Sequence, residues 1–256
     1  MSKPKLIKFE EYKQFPNTFD VEDTANKGQW RNIFGNDNPI VIELACGKGD
    51  YTVGLARMNP EVNYIGIDIK SNRMWTGAKA ALDEKLTNVR FLRTHIDHIT
   101  EFFDTNEVDE IWITFPDPQL RLSKAKKRLT HPQFLRLYQK FLTPGGIVHL
   151  KTDSPNLYLF TKTVIELYGL TLITATDDVY GTAFMHSDKW DERCAIKTYY
   201  EGLNIASSNR IHYIQFKIDA PLPIAKDETL KEMIAEFEVT ETHDAKRERG
   251  VKANEN

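Results

Sequence analysis

The chain has 256 residues, of which 41% are hydrophobic and 28% are charged, a composition typical of one large folded domain with or without extensions. Its formal net charge of −3 argues against a surface that is basic all over, but it permits a local basic patch. No apolar run reaches the roughly 18 residues that span a membrane, and the first residues form no apolar signal core. We therefore expect a cytoplasmic protein with no membrane partner, and free thiols at Cys46 and Cys194.

Short apolar and β-branched runs alternate with helical patterns from Ile40 onward, which predicts βαβ units and a parallel sheet. The first strand, Ile40–Ala45, is apolar almost throughout, as expected of a strand buried on both faces. The later predicted strands are Asn63–Ile69, Asn88–Arg93, Glu110–Phe115, Gly145–Thr152, Leu170–Thr176 and Arg210–Ile218. The pattern predicts an α/β fold with a doubly wound, mostly parallel seven-stranded sheet of the Rossmann-like type.

Helical patterns fill the intervals between the predicted strands. One helix begins near Tyr51, the next has Ser71 as its expected N-cap, and a third covers Pro155–Tyr168. We divide the chain into an N-terminal extension over residues 1–37, a core domain over 38–220 and a C-terminal extension over 221–256 with a polar, disordered tail. The irregular stretch over residues 177–209 has a length that is usual for a loop that is either functional or disordered.

The segment "ELACGKGDY" joins the first strand to the first helix of the core domain. Gly47 and Gly49 permit a tight turn whose backbone N–H groups can approach a ligand at the helix N-terminus. A dinucleotide fingerprint requires a third glycine where the chain has Thr52, so pyrophosphate binding is disfavoured. A nucleoside with a small amino-acid arm needs less, because Glu43 can reach its ammonium group.

Acidic residues also lie at the carboxyl end of the second strand and just after the third. Asp68 comes about 20 residues after the turn at Gly47 and Gly49, called the glycine turn below. At this position a carboxylate accepts hydrogen bonds from both ribose hydroxyls. In "RTHIDH", His95 or Asp97 can meet an adenine amino group, and the backbone of Ile96 can lie near the ring. Because the carboxyl ends of parallel strands meet in one crevice, these positions predict an S-adenosylmethionine site. The structural alternatives are a buried acid at Glu43 and a helix-capping carboxylate at Asp68.

Asp117 lies between Pro116 and Pro118, directly after the fourth predicted strand. The two prolines restrict the backbone and so fix the direction of the carboxylate. A nucleophile that already has a lone pair needs little proton transfer to accept a methyl group from a sulfonium. The expected task of Asp117 is therefore to orient a base by accepting hydrogen bonds from its N–H groups. The alternative is an Asx turn that ends the strand.

A run of basic residues, "RLSKAKKR", follows at once. Its cations are Arg121, Lys124, Lys126, Lys127 and Arg128. Arginine forks and lysine point charges fit a phosphate backbone, whereas the alternative is an ordinary solvated loop. Because the run adjoins Asp117, we expect the loop to hold a nucleic acid while Asp117 presents one of its bases.

From about Phe15 to Ile218 the chain resembles the bacterial tRNA (guanine-N7)-methyltransferase family. The motifs that carry this resemblance are "FPN", "KGQWRNIFGNDNPIVIELACGKGDY", "YIGIDIKSNRMW", "FPDP", "KKRLTHPQFL", "GGIVHLKTD" and "TYYEG". The resemblance implies a class I methyltransferase fold and methyl transfer from S-adenosylmethionine to N7 of a guanosine in the tRNA variable loop. It implies no obligate protein partner and no metal.

The resemblance also implies roles for individual residues. The implied cofactor contacts are Glu43, Asp68, one residue of His95–Asp97, and Asp117, which is also the catalytic acid. The implied substrate contacts are Arg121, Asp153, Thr198, Tyr199, Tyr200 and Glu201, to which the basic run adds Lys127 and Arg128. From the residues alone, Asp153 could equally cap the following helix, and the two tyrosines could be core residues.

The chain departs from the family pattern at a few positions. Ala45 stands where the family often has glycine, and Gln119 and Leu120 replace the usual aromatic and basic residues after "FPDP". Three other functions stay open on the sequence: a methyltransferase of another RNA base or a small molecule, a nucleotide-dependent oxidoreductase, and a non-catalytic RNA-binding subunit. Thr52 disfavours the oxidoreductase, and a binding subunit would not need its acidic residues in one crevice.

Overall fold

The computed structural model describes residues 4–198, 201 and 210–235. Within them the strands are β1 (Thr18–Phe19), β2 (Ile40–Leu44), β3 (Asn63–Asp68), β4 (Val89–Arg93), β5 (Val108–Thr114), β6 (Leu142–Thr152), β7 (Leu172–Thr176) and β8 (His212–Lys217). They form one sheet in the order β1-β4-β3-β2-β5-β6-β8-β7. The pairings from β1 to β6 are parallel, and β8 runs antiparallel to both of its neighbours.

Helices connect the strands and cover the sheet. They are α1 (Lys5–Gln14), α2 (Trp30–Phe34), α3 (Asp50–Met58), α4 (Ser71–Asp83), α5 (Pro132–Tyr138), α6 (Pro155–Tyr168) and α7 (Thr182–Met185). A further helical stretch covers residues 226–235. No helix in the described part of the chain is long and apolar enough to cross a membrane.

The predicted α/β class and the mostly parallel sheet are confirmed, but the predicted strand number of seven is wrong. The additional strand, β1, has only two residues, which pair in parallel with β4 at one edge of the sheet. A pairing this short leaves no period-two pattern to detect. The N-terminal segment is tied down further by the Tyr12 hydroxyl, which donates to the carbonyl of Phe91 at 3.2 Å.

Burial of β2 on both faces explains its continuous apolar sequence. All five of its residues are buried. Ile40, Ile42 and Leu44 belong to one hydrophobic cluster, whereas Val41 belongs to the other. The sheet therefore separates two apolar layers, as in other doubly wound folds.

Two helix starts differ in how they are capped. The Ser154 hydroxyl accepts a hydrogen bond from the Leu157 N–H at 3.3 Å and caps α6. The predicted cap at Ser71 is wrong, because Ser71 is the first residue of α4 and Lys70, which precedes it, provides no side-chain cap. Instead Asp68 accepts from the Lys70 N–H at 2.8 Å, which stabilises the turn into the helix.

Candidate active site

A cavity of about 620 Å³ opens at the carboxyl ends of β2, β3, β4 and β5. Its size is in the range of small-molecule sites. Of the residues predicted for the site, those that line it are Gly47, Asp68, His95, Ile96, Asp97, Asp117, Lys127 and Thr198. Parallel strands that end at one edge bring together side chains that are far apart in the sequence.

The turn after β2 needs left-handed backbone at three positions. Ala45, Gly47 and Gly49 have φ values of 57°, 58° and 78°. A Cβ atom on Gly49 would also lie 2.5 Å from a ring carbon of Phe91, so side-chain packing requires glycine there as well. Gly49 is not among the cavity-lining residues. Ala45 adopts a left-handed conformation that strains a residue with a Cβ atom, so the backbone at this position favours glycine.

Asp68 connects the end of β3 to the glycine turn. Its Oδ2 accepts from the Gly47 N–H at 3.1 Å, and its Oδ1 accepts from the Lys70 N–H at 2.8 Å. The carboxylate is half-buried and lines the cavity. Each carboxylate oxygen has a second lone pair, so Asp68 can hold the turn and still accept hydrogen bonds from a ligand.

Glu43 lies beneath this cavity and is not part of its lining. Its side chain is buried between two hydroxyl groups, those of Thr52 and Thr114, each of which donates to one carboxylate oxygen. Burial raises the pKa of Glu43 from its ordinary value of 4.5 to about 7. Thr52, the residue that breaks the dinucleotide fingerprint, is thus the hydrogen-bond partner of the acid before the turn.

Replacing Glu43 with glutamine should change the pH dependence of stability. The folded protein keeps this proton up to about pH 7, whereas the unfolded chain loses it near pH 4.5, so the wild-type fold is destabilised as pH rises between those values. Relative to wild type, Glu43→Gln should therefore gain on the order of 2 kcal/mol of stability between pH 5 and pH 8. Urea unfolding across this range measures the difference. Parallel pH profiles for the two proteins would contradict it, and exposed Glu61→Gln is the control.

The turn after β4 brings three predicted residues to the cavity. His95 and Asp97 are exposed, Ile96 is half-buried, and all three line the cavity. Ile96 also packs against the larger hydrophobic cluster. The turn thus offers an apolar surface beside two polar side chains, a combination that suits a nucleobase with an exocyclic amino group.

The loop after β5 holds Asp117 at the cavity wall. Phe115 and Gln119 have φ values of 47° and 48°, and Pro116 is buried between them. Asp117 Oδ1 accepts from the Gln119 N–H at 3.1 Å, so the Asx turn considered from the sequence is present. The carboxylate is nonetheless exposed and lines the cavity. The turn therefore fixes the acid in place without burying it.

Arg128 differs from the other cations of the basic run, because its side chain is buried. Its guanidinium donates to the carbonyl oxygens of Pro118 and Gln119, each at 3.1 Å, and lies 4.6 Å from the ring centroid of Phe160. Arg128 does not line the cavity, and the substrate contact predicted for it stays a prediction. We assign Arg128 the task of holding the loop that carries Asp117.

The remaining cations of the run face solvent. Arg121, Lys124, Lys126 and Lys127 are all exposed. The three lysines belong to a short 3₁₀ segment, Leu122–Lys127, and Lys126 and Lys127 line the cavity mouth. Arg121 does not line it. The run therefore forms a basic rim beside Asp117.

No group of three or more His, Cys, Asp or Glu side chains suited to a metal occurs in the part of the chain that the structure describes.

Known proteins are similar to this chain in sequence and in fold. A family model described as a putative methyltransferase matches residues 37–192. The tRNA (guanine-N(7)-)-methyltransferase of Bacteroides thetaiotaomicron is 47% identical over 226 residues, which cover 85% of this chain and 87% of that protein. The protein of the same name from Porphyromonas gingivalis is 51% identical over 196 residues, 76% of this chain and 78% of that protein. The chain belongs to the tRNA (guanine-N7)-methyltransferase family.

The family resemblance predicted from the motifs is thereby confirmed. Among solved structures, the 16S rRNA methyltransferase KamB aligns with a TM-score of 0.55, covering 76% of this chain and 94% of that chain. At 15% identity, this similarity indicates a shared fold.

Of the remaining positions that the resemblance suggests as substrate contacts, some line the cavity and others do not. Thr198 lines it, whereas Asp153 is half-buried at the end of β6 and does not. Glu201 is also outside the lining, because its carboxylate pairs with buried Lys151 at 3.1 Å and accepts from the Tyr180 hydroxyl. Tyr199 and Tyr200 fall outside the described residues.

Lys151 is a buried charged residue that was not predicted from the sequence. It is fully buried near the end of β6, where a long apolar strand ends in "HLKTD". A lysine in an otherwise buried strand is the signal that could have identified it, since lysine is almost never fully buried unless it is paired.

Proposed function

We propose that this protein transfers a methyl group from S-adenosylmethionine to N7 of a guanosine in the variable loop of tRNA. The observation that carries the proposal is one cavity that has Asp68 on one side and Asp117 with a basic rim on the other. A ligand-binding carboxylate, an orienting carboxylate and a phosphate-binding surface are the parts that such a reaction needs. The sequence and length shared with curated family members support the same activity.

The residues around the cavity suit S-adenosylmethionine. Asp68 would accept hydrogen bonds from the ribose, and the turn from His95 to Asp97 would contact the adenine. The glycine turn would leave room for the methionine arm. Glu43, once ionised, would supply a negative charge to the ammonium group from beneath the cavity. Because Glu43 must be ionised to supply that charge, and its pKa is raised to about 7, cofactor affinity should increase as pH rises through this value.

The chemistry explains why the site needs orientation more than proton transfer. The N7 lone pair of guanine forms a bond to the methyl carbon while the carbon–sulfur bond breaks and its electrons stay on sulfur. No proton leaves N7, and the positive charge moves from sulfur to the guanine ring. The carboxylate of Asp117 would accept hydrogen bonds from guanine N–H groups, which become stronger donors as this charge develops. Such an interaction stabilises the transition state more than the bound substrate.

The basic rim would bind the phosphates that flank the target base. Lys124, Lys126 and Lys127 are exposed on one short 3₁₀ segment, and the last two reach the cavity mouth. Most of the affinity for a nucleic acid comes from such phosphate contacts, which carry no sequence information. The rim would therefore set how tightly tRNA binds, while Asp117 would set how the base is presented.

Neutralising Lys124, Lys126 and Lys127 together should weaken tRNA binding and flatten its dependence on salt. When a phosphate contact is lost, tRNA binding releases fewer counterions. The slope of log affinity against log salt should therefore fall in magnitude by roughly 0.7 per lysine at an irregular RNA contact. Methyl transfer in a single turnover at saturating tRNA should fall much less than affinity.

Filter-binding titrations at several salt concentrations measure this slope. The matched control neutralises three exposed lysines elsewhere, namely Lys85, Lys140 and Lys162. An unchanged slope in the rim variant would mean that these lysines form an ordinary solvated loop.

The function itself can be tested with the purified chain, unmodified tRNA and methyl-labelled S-adenosylmethionine. Digestion of the tRNA to nucleosides should place the label in N7-methylguanosine. Because one chain carries both the cofactor residues and the basic rim, no second protein should be required. Label in a different nucleoside, or none in RNA, would overturn the proposal.

A further inference from the structure

The ammonium group of Lys151 is enclosed by oxygen atoms from one region of the chain. Its side chain is fully buried. Four groups lie at hydrogen-bond distance from Nζ, namely the Tyr180 hydroxyl at 2.8 Å, the Cys194 carbonyl at 2.9 Å, the Ile196 carbonyl at 2.8 Å and Glu201 Oε2 at 3.1 Å. All of them come from residues 180–201, and none is on the neighbouring strands of the sheet.

The backbone of Lys151 contacts the other side of the site. Lys151 pairs with Thr114 in the parallel register of β5 and β6, and its carbonyl accepts from the Phe115 N–H at 2.8 Å. Phe115 immediately precedes Pro116 and Asp117, and its ring centroid lies 5.5 Å from Lys151 Nζ. One residue therefore contacts both the loop that carries Asp117 and the segment that leads to Thr198 and Glu201.

We propose that Lys151 is a positioning residue that sets Thr198 and Glu201 against the Asp117 loop for productive tRNA binding. The inference rests on the proposed function, since it concerns how the tRNA side of the same cavity is assembled. Lys151 does not line the cavity and has no direct contact with the reacting atoms to make. It acts through Glu201 and through the two carbonyl groups that it binds.

The cost of burying a lysine supports a role beyond core packing. An apolar side chain would fill a buried position without the desolvation that an ammonium group suffers. Burial lowers the pKa of Lys151, whereas the nearby carboxylate of Glu201 opposes that shift. Unlike a methionine side chain, the ammonium group donates directional hydrogen bonds to residues 180, 194, 196 and 201. The Tyr180 hydroxyl strengthens this attachment, because it accepts from Lys151 and donates to Glu201.

The test is a double-mutant cycle with Lys151→Met, Glu201→Gln and the double variant. Each single variant should lower kcat/KM for tRNA by roughly tenfold or more, which corresponds to the loss of one buried charge-assisted hydrogen bond. The affinity for S-adenosylmethionine, measured by calorimetry, should change by less than about twofold. If Lys151 acts through Glu201, the double variant should be no slower than the slower single variant.

Independent effects that multiply in the double variant would overturn the proposal, as would equal losses in cofactor affinity and tRNA turnover. Tyr180→Phe keeps the size of the side chain and removes only the shared hydroxyl, so it serves as the test if Lys151→Met fails to fold. Its kcat/KM for tRNA should fall severalfold with cofactor affinity unchanged. Exposed Lys162→Met on α6 is the control for loss of a lysine charge.

A second readout does not depend on the reaction. Trypsin cleavage after Lys197, followed by mass spectrometry, should be faster in Lys151→Met than in wild type, because the segment has lost its attachment to β6. Absence of methyl transfer by the wild-type protein would overturn the proposed function alone. Equal cleavage rates in the two proteins would overturn the role of Lys151 alone.

Discussion

Asp117→Asn should reduce the rate of methyl transfer by roughly two orders of magnitude and leave the affinity for tRNA within about twofold. A small misplacement of reacting groups can cost about 100-fold in rate, and asparagine also removes the negative charge that would stabilise the cationic product. Phosphate contacts, which supply most of the affinity, are untouched.

The choice of asparagine separates chemistry from folding. Its amide oxygen can still accept from the Gln119 N–H, so the turn that holds the loop is preserved. Single-turnover rates at saturating tRNA and cofactor, together with filter-binding affinities, measure the two effects. Asp83→Asn, which changes an exposed carboxylate on α4, is the control. Wild-type turnover by Asp117→Asn would remove Asp117 from the catalytic role.

Asp68→Ala should weaken binding of S-adenosylmethionine by about tenfold to a hundredfold. Loss of a hydrogen bond to a charged group costs about 1.5–3 kcal/mol, and the ribose would lose its acceptor. The substitution also frees the Gly47 and Lys70 N–H groups, so the turn at Gly47 keeps only its backbone bond to β3, from the Cys46 N–H to the Ile67 carbonyl at 3.0 Å. Calorimetric titration with the cofactor measures the combined effect.

Asp109→Ala provides a matched control for the structural part of this loss. Asp109 also accepts from a backbone N–H, that of Ile40 at 2.9 Å, but at the amino end of the strands. Its replacement should lower stability without changing cofactor affinity. If Asp68→Ala lost stability to the same extent as Asp109→Ala but bound the cofactor normally, Asp68 would be a structural residue only.

The fold was predictable wherever sequence periodicity reflects burial. A continuous apolar run predicted a strand over Ile40–Ala45, where β2 covers Ile40–Leu44, because both faces of the sheet are covered. The two-residue strand Thr18–Phe19 could not be predicted, since it is defined only by pairing with β4. The prediction of Ser71 as a helix cap was wrong, because Asp68, which precedes the helix, stabilises the turn into it.

The candidate site was predictable to the extent that strand ends converge. Position at the carboxyl end of a strand, or just after it, was enough to bring Asp68 and Asp117 to one cavity. Charge alone could not distinguish Arg128, which is buried under the Asp117 loop, from the exposed lysines beside it. Nor could it show the partnership of Lys151 and Glu201, which are 50 residues apart and meet only after the 180–201 region has packed on β6.

The most direct test of the central claim removes the attacked atom from the substrate. A tRNA carrying 7-deazaguanosine in the variable loop, at the position labelled in unmodified tRNA, has carbon where the reaction needs the N7 lone pair. This tRNA should bind with an affinity within about twofold of normal, because the phosphates are unchanged, and it should accept no methyl group at that position. Methylation of the modified residue at an undiminished rate would show that N7 of guanosine is not the atom that this protein methylates.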